Sequence, residues 1–301
     1  MPSTFIHLQQ LEQLRDTYQI KMPVGFGKLK SLQEVKGFIH IESPRTLHDL
    51  GSLIELRTLA IRFCGWDEGY ENPFIECLSN LVNLKSMTIG GHMIIRQHPE
   101  CDNFYPGPQQ LWSIDMADNC DINAVPRWMS SLCSLSSLKI RLFTLGEQDL
   151  QILGSIPSLS DLRIIVNGQS KSKQDLLVIG NCYPFQCLTR LEIESCSMMV
   201  MFAPGAMQQL KELHLNLEQK SADPKLVGLE HLASLEHVSV QINVDLRTPK
   251  EVKSVKDAIR TAVEMNPGKP TLTIHLMTEK LRVSMLVHKA GLQFIRYNFV
   301  G

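Results

Sequence analysis

Two groups of side chains in this sequence carry the donor chemistry of a metal site. His92, His98 and Cys101 lie in one short stretch, and Cys182, Cys187 and Cys196 in another. A structural zinc site draws its ligands from closely paired positions such as Cys-x-x-Cys, because one turn must present two donors to the same ion. Neither group has that pairing, so no metal is expected. The stretch Gly25 to Ser31, GFGKLKS, has the residue types of a phosphate cradle. It lacks the Gly-x-x-x-x-Gly-Lys-Ser/Thr spacing that aims successive backbone N–H groups at one phosphate. No nucleotide binding is therefore expected within the chain, and no cofactor. Nucleophile-elbow and His-Glu-x-x-His patterns are absent too, which points to a protein that is not an enzyme.

Bulk properties narrow the classes further. Of 301 residues, 44% are hydrophobic and 20% charged, enough apolar surface for an extended core, and the formal net charge is −1. Nucleic-acid binding and polybasic attachment to a membrane both need a cationic excess that is missing here. The first residues, MPSTFIHLQQLEQLRD, contain no apolar run of signal-peptide length. No Asn-x-Ser/Thr sequon occurs, and the eight cysteines form no Cys-x-x-Cys pair. A cytoplasmic protein with reduced thiols is the expectation, with Cys64 and Cys196 buried and slow to react.

The elements that would position any site emerge from internal repetition. An apolar-x-x-apolar-x-apolar pattern begins at Leu32, Leu56, Leu84, Leu111, Leu135, Leu159, Leu188, Leu210 and Leu235, with a degenerate copy at Leu11. The fourth position falls at Val35, Leu59, Met87, Ile114, Leu138, Leu162, Leu191, Leu213 and Val238, in steps of 22 to 29 residues. Gly37 is the one lapse from the apolar pattern. Three residues before the windows stand Leu29, Leu53, Leu81, Pro108, Leu132, Ile156, Phe185, Met207 and Leu232, nearly all large and apolar. The ninth position, where Asn or Cys would satisfy backbone groups at an inward turn, is Cys64, Asn119, Asn167, Cys196 or Asn243 in five windows. His40, His92, Phe143 and Glu218 depart from that ladder.

Steps of this length mark an α/β fold, a leucine-rich-repeat solenoid. Each window is a short strand with period-two alternation, and a long return segment makes neighbouring strands parallel. One repeat cannot bury its own apolar face, so the repeats must stack into a continuous core behind a concave parallel sheet, with irregular convex segments. One domain, residues 1–301, is expected, with repeats over 8–246 and a C-terminal cap over 247–301. In that cap Thr248-Pro249-Lys250-Glu251 starts a helix with a stripe of Val252, Val255, Ile259, Ala262 and Val263. Asn266-Pro267-Gly268 ends it, and LTIHL from Leu272 is a last strand.

The register also names the side chains that face outward on the concave surface. They include Arg62, Asp115, Lys139, Arg141, Arg163, Arg190, Glu192, Glu194, Glu212 and His214, the candidate protein-binding residues. Basic residues come first and acidic ones after. That order suits a bipolar patch for a charged protein partner, and it suits equally a solvated face whose charges pair across neighbouring strands. Trp128 is assigned to convex packing.

The irregular repeats, VPRWM (Val125 to Met129) and the segment AIRTAVEMNPGKPTLTI (Ala258 to Ile274) resemble plant disease-resistance proteins. The chain is similar to the repeat domain of cereal nucleotide-binding leucine-rich-repeat receptors of the coiled-coil class, without their nucleotide-binding domain. That resemblance implies a defence role in which the partner is a pathogen effector or a host signalling protein, modified or not. Upstream domains are expected to be missing, so a stand-alone scaffold or an inactive receptor fragment is the alternative.

Overall fold

A computed structural model describes residues 1–91, 107–117, 120–168, 176–180, 182–183, 185–195, 199–217, 227–245 and 247–278. Among the described residues thirteen strands follow in chain order. The first seven are Gln13–Ile20 (β1), Glu34–Ile41 (β2), Thr58–Phe63 (β3), Ser86–Gly91 (β4), Ser113–Met116 (β5), Ser137–Leu142 (β6) and Asp161–Val166 (β7). Then come Leu176–Ile179 (β8), Arg190–Ser195 (β9), Met199–Phe202 (β10), Glu212–Leu217 (β11), His237–Asn243 (β12) and Thr271–Met277 (β13). All but β8 and β10 form one eleven-stranded sheet in chain order, and those two pair with each other. Every pairing is parallel, as the long returns require.

The apolar slots stack as the spacing demands. Leu59, Met87, Ile114, Leu138, Leu162, Leu191, Leu213, Val238 and Leu272 lie opposite one another along the sheet. All but Leu272 are fully buried; Leu272, on the last strand, is half-buried. The residue three before each window closes the turn that enters the strand. In all nine windows its carbonyl accepts from the first window N–H, from Leu32 N–H to Leu29 at 3.0 Å through Leu235 N–H to Leu232 at 3.2 Å. Two buried apolar residues three apart thus define one tight turn, which explains why both positions are apolar.

Convex returns are short and varied. They use Pro44–Gly51 (α1), Glu68–Asn80 (α2), Glu147–Gly154 (α3) and the longer Pro249–Glu264 (α4), with 3-10 turns such as Arg127–Ser131. α4 starts where the capping pattern puts it: Glu251 N–H donates to the Thr248 hydroxyl and Thr248 N–H to the Glu251 carboxylate. It buries Val255, Ile259 and Val263. Trp128 packs half-buried against the core, edge-on to Phe74 at 6.2 Å.

The inward Asn/Cys ladder does not form among the described residues. Asn167 is exposed and bonds Asp121, Asn243 accepts only from Asp245 N–H, and Cys64 and Phe143 are exposed. Asn119, Cys196, His92 and Glu218 lie outside the described residues. The tie from one repeat to the next is made instead on the convex side. Asp49 accepts from Gly25 N–H at 2.8 Å and Asp149 from Val125 N–H at 2.7 Å, each reaching back 24 residues. Asn266 donates to the Leu229 and Leu232 carbonyls and accepts from Gly268 N–H. Asp149 and Asn266 are buried, and their hydrogen bonds offset the desolvation.

Candidate functional site

The concave face is built by strand positions between the core slots, so alternation alone sets which residues face outward. The ten candidate residues do sit there, on β3, β5, β6, β7, β9 and β11. None is buried, and the register brings nine of them together from β5 to β11. Arg62 stands apart on β3.

Position does not leave the basic cluster open. Lys139 Nζ lies 3.2 Å from Asp115, and Arg141 Nε 3.2 Å from Asp121. Arg163 reaches both Glu192 at 3.3 Å and Glu194 at 3.2 Å. Arg190 lies 3.9 Å from Asp161 and from Glu212, and His214 lies 3.4 Å from Glu212. Each base is matched by a carboxylate, on its own or an adjoining strand for all but Arg141, whose partner Asp121 lies between strands. The order of basic before acidic residues is therefore drawn into a lattice of alternating charge.

Two members of this lattice escape strand alternation as a signal. Asp121 lies between strands, yet it accepts from both Arg141 and Asn167. Ile165 occupies an outward position between Arg141 and Glu194 in the register, yet is only 2% exposed. On a face of half-buried charges, the neighbouring side chains therefore cover Ile165 almost completely. Its apolar type in an outward slot was the available sign.

Arg62 is different. Its guanidinium stacks on the Phe38 ring at 5.0 Å, and its Nε is buried without a hydrogen-bond partner. Gly90 faces the same spot; a Cβ there would come within 3.2 Å of the Phe38 ring and 3.6 Å of Arg62 Nε. The missing side chain at Gly90 makes room for the stack.

Next to Arg62 lies a cluster of which the repeat spacing aligns His40 and Cys64 but not Glu42. Glu34 is opposite Thr58, but Ile39 is opposite Ile61, so five steps along β2 match three along β3. This bulge absorbs Gly37, whose φ of 137° lies in the region that favours glycine. Ile39 and Ile41 then fill the core slots that Gly37 vacates. The slip sets His40 opposite Arg62 and brings Glu42 level with Cys64, and the donor atoms of His40, Glu42 and Cys64 lie within 4.8 Å of one another. His40 Nδ1 is 3.3 Å from Cys64 Sγ, and Lys21 Nζ is 2.7 Å from the Glu42 carboxylate. Burial pushes the His40 pKa down, helped by the positive charges of Lys21 and Arg62. Cys64 is exposed, contrary to the expectation from its ladder position, and so are Phe143 and Asn167 at the same window position of regular repeats. His98 and Cys101, and Cys196 of the second sequence group, lie outside the described residues. Cys182 and Cys187 are exposed.

The family model described as leucine-rich repeat region matches residues 1–272. Among curated proteins, the chain is 26% identical over 284 residues to Disease resistance protein RGA5 of Oryza sativa subsp. japonica, covering 89% of this chain. The chain spans about a quarter of that protein's length. Among solved structures, an internalin, inlF, of Listeria monocytogenes aligns over 90% of this chain and 83% of its own, at 14% identity and a TM-score of 0.40. A plant ice-binding protein aligns over 83% and 70% at 15% identity and a TM-score of 0.38. No helix among the described residues is long and apolar enough to cross a membrane.

Proposed function

The chain belongs to the leucine-rich repeat region family, and from that premise we propose that it is a protein-binding module whose recognition surface is the concave face. The observation that carries this reading is the sheet itself. Eleven parallel strands hold rows of outward side chains at fixed spacing of about 4.8 Å, a rigid template that loses little entropy on binding. Similarity to a rice disease resistance protein directs the reading to plant defence, with a pathogen effector or a modified host protein as partner, met in the cytoplasm. Binding rather than catalysis is the activity. From β5 to β11 the charged side chains of this face are engaged in ion pairs with one another.

Arg62 is the strongest anchor within this reading. Lys139, Arg141, Arg163 and Arg190 already contact carboxylates, so a partner gains little new pairing from them. Arg62 carries a charge that no carboxylate pairs with among the described residues, on a surface that already holds its side chain in place. Its partner is a carboxylate of the bound protein. The test is titration of candidate effectors and host signalling proteins against the wild-type chain, then against Arg62→Glu and the double variant Arg141→Glu, Arg163→Glu. Arg62→Glu should weaken a verified complex at least about 10-fold with unfolding unchanged, in the range of a charged interface anchor. The double variant should act less on affinity. A verified complex that ignores all three substitutions moves recognition off the concave face.

A further inference from the structure

We propose that His40, Glu42 and Cys64 form a binding site for a divalent transition-metal ion of the zinc class. The site lies at the N-terminal end of the concave face. Nitrogen, sulfur and oxygen donors converge there from two adjacent strand ends, with all three donor atoms within 4.8 Å of one another. That donor set suits a borderline-soft ion and excludes calcium and magnesium, which take oxygen ligands.

The distances match the ion. Zinc–sulfur and zinc–nitrogen bonds of about 2.3 and 2.1 Å, at a tetrahedral angle, separate the two donors by about 3.6 Å. His40 Nδ1 and Cys64 Sγ stand 3.3 Å apart, so a few tenths of an ångström admit the ion between them. His40 Nε2 has no hydrogen-bond partner, so no contact there pins the ring against that adjustment. Glu42 needs one change: its carboxylate must exchange the Lys21 ammonium for the ion. Lys21 is 68% exposed, and an exposed pair of this kind holds with little energy, so the ammonium swings into solvent at small cost.

Binding breaks the Sγ–H bond of Cys64 and forms an Sγ–metal bond, and the proton leaves to solvent. His40 gives its Nδ1 lone pair while Nε2 keeps the hydrogen. Glu42 supplies one carboxylate oxygen, and the fourth position remains for water or for a donor from a bound protein. Three ligands without an outer partner for the imidazole make a weaker site than a four-ligand structural one. The ion is accordingly an occupant of a folded surface, and the fold does not depend on it.

The experiment titrates the purified, reduced chain with Co²⁺ and then displaces it with Zn²⁺. One Co²⁺ per chain should bind, with a near-ultraviolet thiolate-to-cobalt charge-transfer band that Zn²⁺ removes. Cys64→Ser should abolish the band and His40→Gln should weaken binding at least about 10-fold, the least effect that outer partners of metal ligands have. Cys133→Ser, at another exposed cysteine, should change nothing. Lys21→Ala should tighten binding by freeing Glu42. No band at saturating Co²⁺, or a full band in Cys64→Ser, overturns the site. Unchanged or weaker binding in Lys21→Ala removes Glu42 from the ligand set and overturns the three-ligand arrangement. Circular dichroism of each variant shows that the repeat sheet is intact.

Discussion

From β3 to β13 each strand of the large sheet meets the next without a slip, while β2 slips against both its neighbours. From β5 to β11, alternation sets the outward charges close to one another and opposite charges pair, with Asp121 serving Arg141 from between strands. In the bulged part, two extra residues shift β2 past β3, and Glu42 comes level with Cys64 beside His40. Regular repetition therefore yields a self-compensated surface, and the lapse in repetition yields reactive chemistry. A register slip in a half-buried sheet is costly because it exchanges core and solvent faces; here an even slip keeps Ile39 and Ile41 inward.

The sharpest break in the regular part is Leu162→Ala. This side chain is fully buried in the middle of the stack, and its truncation should cost about 2–5 kcal/mol in urea unfolding. A smaller loss would mean that the stack there relaxes around the cavity. The bulge should be softer. Gly37→Ala forces a side chain into a left-handed conformation and should cost about 1–3 kcal/mol, with Cys64 reactivity altered along with it.

Thiol chemistry separates the same two regions. Cys77 and Cys120 are buried and their thiols are pushed up to about 12 by desolvation, so native alkylation near neutral pH should leave them untouched. Cys64, on the bulged rim, should label readily, together with the exposed Cys133, Cys182 and Cys187. Peptide mapping by mass spectrometry reads the pattern. Protection of Cys64 would place it back in the core.

A subtler probe is Asp149. Burial raises its carboxyl pKa, against the opposing hydrogen bonds from Val125 and Gly146 N–H. The folded chain then holds this proton more tightly than the unfolded chain, whose aspartates titrate near about 3.9. That contribution is fully present below the unfolded value and is lost as pH rises through the folded one. Asp149→Asn cannot ionise, so the stability of the wild type relative to this variant should fall as pH rises through the acid range. A difference that stays flat with pH would return Asp149 to an ordinary aspartate. Smallest of all is the concave lattice: a double-mutant cycle on Arg163 and Glu194 should give a coupling of about 0.2–1 kcal/mol, since both are partly exposed.

Much of the fold was legible in advance. Period-two windows at repeating intervals identify the strands, and the apolar residue three before each one identifies the entering turn. The capping pattern at Thr248 places α4. The outward positions of the ten candidate residues follow from the same alternation. Their mutual pairing did not, because it depends on side-chain reach across strands and on Asp121, which belongs to no strand. Among the described residues the Asn/Cys ladder does not form. Asp49, Asp149 and Asn266 instead tie other backbone groups of neighbouring repeats on the convex side, where no spacing marks them.

By itself, then, the sequence determined the repeat, the parallel sheet and which face each regular strand residue occupies, because these depend on the local period of apolar residues. Only the tertiary structure decided where β2 slips and which donors meet as a result. Gly37 breaks the local pattern without saying which way the chain will give. That choice is made by Ile39 and Ile41 finding the core beside Ile61 and Phe63, and Glu42 is carried level with Cys64 along with them.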